Sequence, residues 1–212
     1  MITVIFTIKN REKQRAKNCI DSLIGQDCRI IVVDYGSDDL SWYGDVFKTG
    51  FIAVKRDTKQ FNKSRAYNIG FKQVTTPYTL FSDIDNIFAP NFIERVKQEI
   101  KEKTVILCQN IDLNEKGEAV NIHPKIGYGS CFCIDSDWIR KVRGHDEAYT
   151  YWGKEDDDMF MRAKQDGYDH VWLEPLIQHQ YHENAPRPTL SDNRRYFEKK
   201  KPLIRNQSWG EL

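Results

Sequence analysis

ITVIFTIKNREKQRAKNCIDSLIGQDCRIIVVDYGSDD, from Ile2 to Asp39, is the stretch that decides the fold. Ile2–Ile8 is a nearly continuous apolar run rich in β-branched residues, the pattern of a strand buried on both faces. Across Arg11–Leu23 the residues Ala16, Cys19, Ile20 and Leu23 recur at helical spacing, and Gly25 supplies a stop. Ile30–Val33 is a second buried strand, ending at Asp34-Tyr35-Gly36-Ser37. Strand, helix and strand at this spacing predict a βαβ unit with parallel strands. The expected class is α/β, with a mostly parallel central sheet flanked by helices.

Working outward, Phe51–Val54 and Thr79–Ser82 read as further strands and Ser64–Gln73 as a helix in which Gly70 is a weak point. Phe92–Ile100 carries an apolar helical stripe after Pro90, and Thr104–Cys108 is another strand. The second half changes texture. Gly127, Gly129, Gly144 and Gly153 punctuate it, Asp156–Gln165 and Leu190–Lys199 predict helices, and Val171–Leu173 and Ile177–Gln180 predict two short β segments. No linker or internal repeat divides the chain, so one domain over residues 1–212 is expected, its second half a smaller extension.

Composition narrows the function. The chain has 212 residues, 32 Lys plus Arg against 31 Asp plus Glu, and a net charge of +1, which argues against broad capture of nucleic acid. The basic residues Lys199, Lys200, Lys201 and Arg205 cluster near the C-terminus and read as a solvated helix end, with contact to an anionic surface as the alternative. Five cysteines, an odd number in a chain long enough to fold without staples, favour a reducing compartment. No apolar run approaches the ~20 residues of a membrane span, and the first residues lack the layout of a secretion signal. A cytoplasmic protein, with peripheral membrane contact still open, is the expectation.

Ligands of open α/β sheets gather beyond the carboxyl ends of strands, and Asp34, Asp83 and Asp85 fall there. Acids two apart on an extended strand end face one side, so Asp83 and Asp85 reach a common space, where a divalent cation is an efficient counter-charge. A solvated turn is the plainer alternative. Asp34 is suited either to a base or ribose or to capping the turn at Gly36 and Ser37. Neither G-x-G-x-x-G nor G-x-x-x-x-G-K is present. Further on, Glu155-Asp156-Asp157-Asp158 follows Tyr149, Tyr151, Trp152 and Gly153. Aromatic faces beside carboxylates suit a sugar, and one carboxylate near a hydroxyl can act as general base; a solvated helix start is the alternative. Helical spacing puts Glu155 and Asp158 on one face and Asp156 elsewhere. His179 can complete a metal shell with Asp85, with His182 a nearby substitute, or it is structural; His123, His145 and His170 read as ordinary polar structure.

FTIKNRE at Phe6–Glu12, VVDYGSDD at Val32–Asp39, FNKSRAYNIGF at Phe61–Phe71, FSDID at Phe81–Asp85 and YWGKEDDDMFMR at Tyr151–Arg162 occur in this order over most of the chain. In these segments the sequence resembles nucleotide-sugar glycosyltransferases of the GT-A fold, of the β-1,4-galactosyltransferase type and the related bacterial polysaccharide polymerases that join amino sugars. The resemblance implies a Rossmann-like nucleotide-binding half over residues 1–110 and an acceptor half over 111–212. It implies a UDP-sugar donor bound by Thr7, Lys9, Arg11, Asp34, Lys63 and Asp83, and Mn²⁺ (or Mg²⁺) on Asp85 and His179. Asp156 would be the base, with Tyr151, Trp152, Gly153, Glu155 and Asp157 around the acceptor, a glycan or lipid-linked saccharide. Leu176 falls where animal members have a methionine ligand, leaving fewer ligands for the metal. Lys9 and Lys63 replace common arginines and lose their bidentate fork. Asn184–Pro188 corresponds to a loop that closes over the donor. The implied activity is inverting hexosyl or N-acetylhexosaminyl transfer in bacterial surface polysaccharide synthesis. A retaining transferase on the same fold and a non-catalytic carbohydrate-binding or scaffold protein remain alternatives.

Overall fold

The computed structural model describes residues 1–48, 50–53, 60–125, 131–183 and 188–211. In chain order the elements are β1 (Ile2–Ile8), α1 (Lys13–Leu23), β2 (Cys28–Asp34), α2 (Tyr43–Val46), β3 (Phe51–Ala53), α3 (Lys63–Phe71), β4 (Tyr78–Asp83) and β5 (Asn86–Phe88). They continue with α4 (Phe92–Glu99), β6 (Thr104–Leu113), β7 (Ala119–Ile122), β8 (Cys131–Asp135), α5 (Ser136–Val142), α6 (Glu155–Gln165), β9 (Asp169–His179) and α7 (Leu190–Phe197). Val54 and residues 184–187 of the expected donor loop lie outside the described residues.

Among the described residues nine strands form one sheet in the order β3-β2-β1-β4-β8-β6-β9-β5, with β7 paired to β6. The first four are parallel, as the βαβ reading requires. β8 enters antiparallel between β4 and β6, so the sheet is mixed. All seven residues of β1 are buried because helices cover both faces. Ile2, Val4, Phe6 and Ile8 join a cluster with α1 and α4 residues, while Ile5 joins one with residues of α3, α5 and α6. Period two along β1 thus feeds two cores. Gly70, read as a weak point, is where α3 presses on the sheet: a Cβ there would stand 2.8 Å from methyls of both Ile5 and Val33.

Two expectations change. The two short segments near the end are one strand, β9, whose register with β6 jumps from Cys108–Leu173 to Asn110–Ile177. The bulge at Glu174–Leu176, with a proline that has no ladder donor, interrupts the apolar pattern. The basic C-terminal residues are not all solvated. The side chains of Lys201 and Arg205 are 9% and 2% exposed, and both turn inward to buried carboxylates. No helix among the described residues is long and apolar enough to cross a membrane.

Candidate active site

The carboxyl ends of β1 and β4, the turn after β4, the starts of α3 and α6, and the end of β9 surround a cleft of about 1030 Å³. Thr7, Lys9, Arg11, Lys63, Asp83, Asp85, Tyr151, Trp152, Gly153, Glu155, Asp156, Asp157 and His179 all line it. Asp34 does not. It is buried, and its carboxylate accepts from the amides of Gly36 and Ser37 at 3.1 and 3.0 Å and from the Tyr43 hydroxyl at 2.9 Å. Of its two readings, the turn cap is the one these bonds describe.

Asp83 and Asp85 do not work as an in-register pair. β4 ends at Asp83, and Ile84-Asp85 forms a tight turn into β5, so period-two geometry stops between them. Asp83 Oδ1 lies 3.0 Å from Lys63 Nζ. Asp85 instead faces two imidazoles, with Oδ1 3.7 Å from His179 Nε2 and Oδ2 3.4 Å from His182 Nε2. Ligand atoms of these three residues lie within 4.8 Å of one another. Buried Asp85 Oδ1 has no hydrogen-bond partner among the described residues. Burial works to raise the Asp85 pKa. The hydrogen bond from His182, with the charges of His179, Arg11 and His182, outweighs it and holds the carboxyl down to about 2. One carboxylate and two imidazoles, with an orphaned oxygen, fit a divalent transition-metal ion, Mn²⁺ among them, better than Mg²⁺, which prefers oxygen alone. Leu176 has no part in this group. It packs against the core and its carbonyl accepts from the Ala89 amide. His182, which sequence reading held only as a substitute, is the third member of this candidate group.

His179 Nδ1 lies 3.5 Å from Asp112 Oδ1 on β6. A carboxylate behind the ring fixes which nitrogen faces the metal and makes it a better ligand. Asp112→Asn is therefore expected to weaken Mn²⁺ binding about 10–100-fold, read by titrating the ion into the protein. Wild-type affinity in that variant would remove Asp112 from the site. Nothing near Asp112 in the sequence signals this approach to His179; only the β6–β9 register, which places the two side by side, does.

Beside the metal group the cleft holds a second charge cluster. Asn62 caps α3 by accepting from the Arg65 amide, which puts Lys63 at the first helical position. Lys63 Nζ is 3.4 Å from Glu155 Oε1 and 3.3 Å from Asp156 Oδ2 as well as 3.0 Å from Asp83. Tyr151 and Lys154 adopt left-handed backbone at φ 57° and 76°, and Gly153 lies at φ 108°. This strained entry is docked on α3: the Lys63 amide donates to the Tyr151 carbonyl and the Tyr151 amide to that of Phe61. Glu155 reaches back to accept from the Gly153 amide. So Glu155 and Asp156 converge, and Asp158, expected beside Glu155, faces away. Asp157 pairs with Lys154 at 2.8 Å. Burial pushes the Asp156 carboxyl well above the usual carboxylate range; Glu155 and Asp83 add to this, and Lys63 works against it. Burial works against the charge on Lys63, but Asp156, Asp83 and Glu155 hold its pKa well above the ordinary lysine value. Trp172, not singled out from sequence, also lines the cleft. His145 is buried among Tyr67, Phe81 and Phe132, and burial holds its pKa well below the ordinary value.

The sequence profile of glycosyl transferase family 2 matches residues 3–163. The chain belongs to glycosyl transferase family 2. Its fold has the GT-A architecture. No curated protein matches it in sequence. Among solved structures, residues 1–349 of S. aureus TarS in complex with UDP-GlcNAc superpose with a TM-score of 0.67 at 16% identity, covering 87% of this chain and 59% of that one. GalNAc-T7 with UDP, GalNAc and Mn²⁺ gives a TM-score of 0.67 at 14% identity, covering 96% of this chain and 47% of that one. At such identities the likeness is one of fold. This family 2 member spans about half to three-fifths of the length of those chains.

Proposed function

We propose that this chain transfers a hexose or N-acetylhexosamine from a UDP-sugar to a hydroxyl of a glycan or lipid-linked saccharide, inverting the anomeric carbon, in the synthesis of a bacterial surface polysaccharide. The observation that carries the reading is that Asp156 and the Asp85–His179–His182 group open onto one cleft. Solved neighbours of the same fold were determined with UDP-GlcNAc and with UDP and Mn²⁺, which supports a UDP donor and this ion.

Asp85, His179 and His182 would hold Mn²⁺, which when bound neutralises the diphosphate as it departs. Lys9 and Arg11 line the same cleft and bring positive charge to the phosphates. The acceptor sugar stacks on Trp152. Asp156 accepts the proton of its hydroxyl while that oxygen bonds to the anomeric carbon. The bond from that carbon to UDP breaks, and UDP leaves with the electron pair. Lys63 keeps Asp156, Glu155 and Asp83 together against their mutual repulsion, and Thr7 lies beside Asp83 in the register of β1 and β4.

UDP titrated into the protein with Mn²⁺ is expected to bind, and binding is expected to vanish with EDTA. No binding in either condition would remove the UDP-donor reading. A product with retained anomeric configuration, read by NMR, would replace inversion by retention and leave the transferase in place. Binding of UDP-sugars and glycans with neither transfer nor donor hydrolysis would favour a carbohydrate-binding protein.

A further inference from the structure

Residues two positions apart in an α-helix stand about 200° apart around its axis, so Asp156 and Asp158 of α6 look in nearly opposite directions. Asp156 reaches Lys63 at the cleft. Asp158 is wholly buried behind it, and its carboxylate meets Arg162 at 2.8 Å, Arg205 at 3.3 Å and Lys201 at 3.5 Å. Arg205 also faces buried Asp146 at 3.8 Å. Lys201 donates to the Tyr149 hydroxyl at 2.9 Å and lies 3.7 Å from the ring centre of Tyr196.

Lys201 and Arg205 come from residues 198–211, which follow α7 and contain neither helix nor strand. The same segment grips α3. Trp209 stacks on Phe71 with centroids 5.7 Å apart. The Gly210 amide donates to Glu147 Oε1, which also accepts from Asn68 of α3. Contact with α3 is close enough that a Cβ on Gly210 would stand 2.7 Å from the Asn68 carbonyl oxygen. One segment therefore holds, from the side away from the cleft, both helices whose first turns carry Lys63 and Asp156.

Stability alone is a poor reason for such a network. Desolvating buried charges offsets most of what pairing returns, and apolar side chains of similar volume often do as well. What ion pairs add is direction. A carboxylate fixed by cations around it sets the rotation of its helix about the axis, which an apolar contact does loosely.

We infer that residues 198–211 form a strap that sets the rotation of α6, and that Arg205 is a positioning residue aiming Asp156 at the acceptor hydroxyl. This rests on reading Asp156 as the base. Arg205 lines no part of the cleft.

Arg205→Met and Arg205→Lys are to be compared with wild type in three readouts: steady-state transfer, Mn²⁺-dependent UDP binding, and amide hydrogen exchange across residues 155–165. The Met variant is expected to lose about 10-fold or more in kcat, because a small misplacement of the base is costly. Its UDP affinity should be unchanged and its α6 amides should exchange faster. The Lys variant, which keeps the charge, should recover most of kcat. Trp209→Ala, which loosens the α3 end of the strap without altering charge, should lower kcat in the same direction and covers the case of a Met variant that fails to fold. A Met variant that melts earlier yet keeps wild-type kcat below its unfolding range would make Arg205 merely structural and overturn the inference, as would unchanged exchange in α6. If wild type itself transfers nothing, the reading of the site fails instead, and the exchange data decide the strap on their own.

Discussion

Asp156→Asn should cut sugar transfer by about 10²–10⁴-fold, the usual worth of a positioned base. It should leave Mn²⁺-dependent UDP binding intact, because the candidate metal group sits at the end of β9, in the segment just after it and on the turn after β4, not on α6. Nor should it cost stability. Asn keeps the shape of Asp and removes one of three carboxylates crowded around Lys63, so an unchanged or slightly higher melting temperature is expected. The pH profile carries the same argument. A base works only without its proton, and burial among like charges raises the Asp156 pKa. The acid limb of kcat/KM in wild type should therefore lie above the ordinary carboxylate range, with activity rising as pH passes through it. Glu155→Gln removes one repelling charge and should move that limb to lower pH. Full transfer by Asp156→Asn would end its assignment as base. An acid limb near pH 4 would show that burial does not tune it.

That the two halves of the chemistry rest on separate elements follows from how the sheet is built. The parallel strands β1, β2, β3 and β4 were legible because each centres on a short run of apolar residues between polar turns, a signal that survives without tertiary context. That Asp83 and Asp85 lie at the end of β4 was legible for the same reason, but the turn that separates them was not: an extended strand end would have put both carboxylates on one side. Beyond residue 110 the logic changes. β8 is inserted antiparallel between β4 and β6, and β9 carries a bulge, so pairing there is set by partners distant in sequence. Asp112 and His179 meet only through that register, and no local pattern announces it. Lys63 was read as a donor-binding cation because its segment resembles one. Its ion pairs with Glu155 and Asp156 join residues about ninety positions apart, brought together by the docking of Tyr151 on α3. The acids of α6 show the same limit. Composition presents four similar carboxylates, and helical spacing paired the wrong two. Their differences arise from the left-handed entry at Lys154 and from the C-terminal residues waiting behind the helix.

Lys63→Met should be the most destabilising of these substitutions, by about 3–5 kcal/mol at neutral pH, the range found when one partner of a buried ion pair is removed. The side chain of Lys63 is 9% exposed, and those of Glu155 and Asp156 are 3% and 10% exposed against 35% for Asp83, so water replaces the lost ammonium poorly at two of the three carboxylates. Three carboxylates would then face one another without a counter-charge. They can relieve this by holding protons, which raises their pKa values in the folded state above the ordinary values of about 4 in the unfolded chain. Groups with raised folded pKa values contribute their stability fully below the unfolded pKa and lose it as pH climbs through the folded one. Wild type carries part of this penalty through Asp156; the variant carries more. The gap in melting temperature between the two should thus be widest at about pH 8 and shrink as the solution is acidified toward pH 5, where the protons are retained. Lys63→Arg keeps the charge and should follow the wild-type pH dependence, even if the larger guanidinium lowers its melting temperature overall. Thermal melts of the three proteins across that range decide the matter. A gap that does not change with pH would mean that Lys63 supports the site by packing, and that the repulsion among Asp83, Glu155 and Asp156 is balanced by something other than its charge.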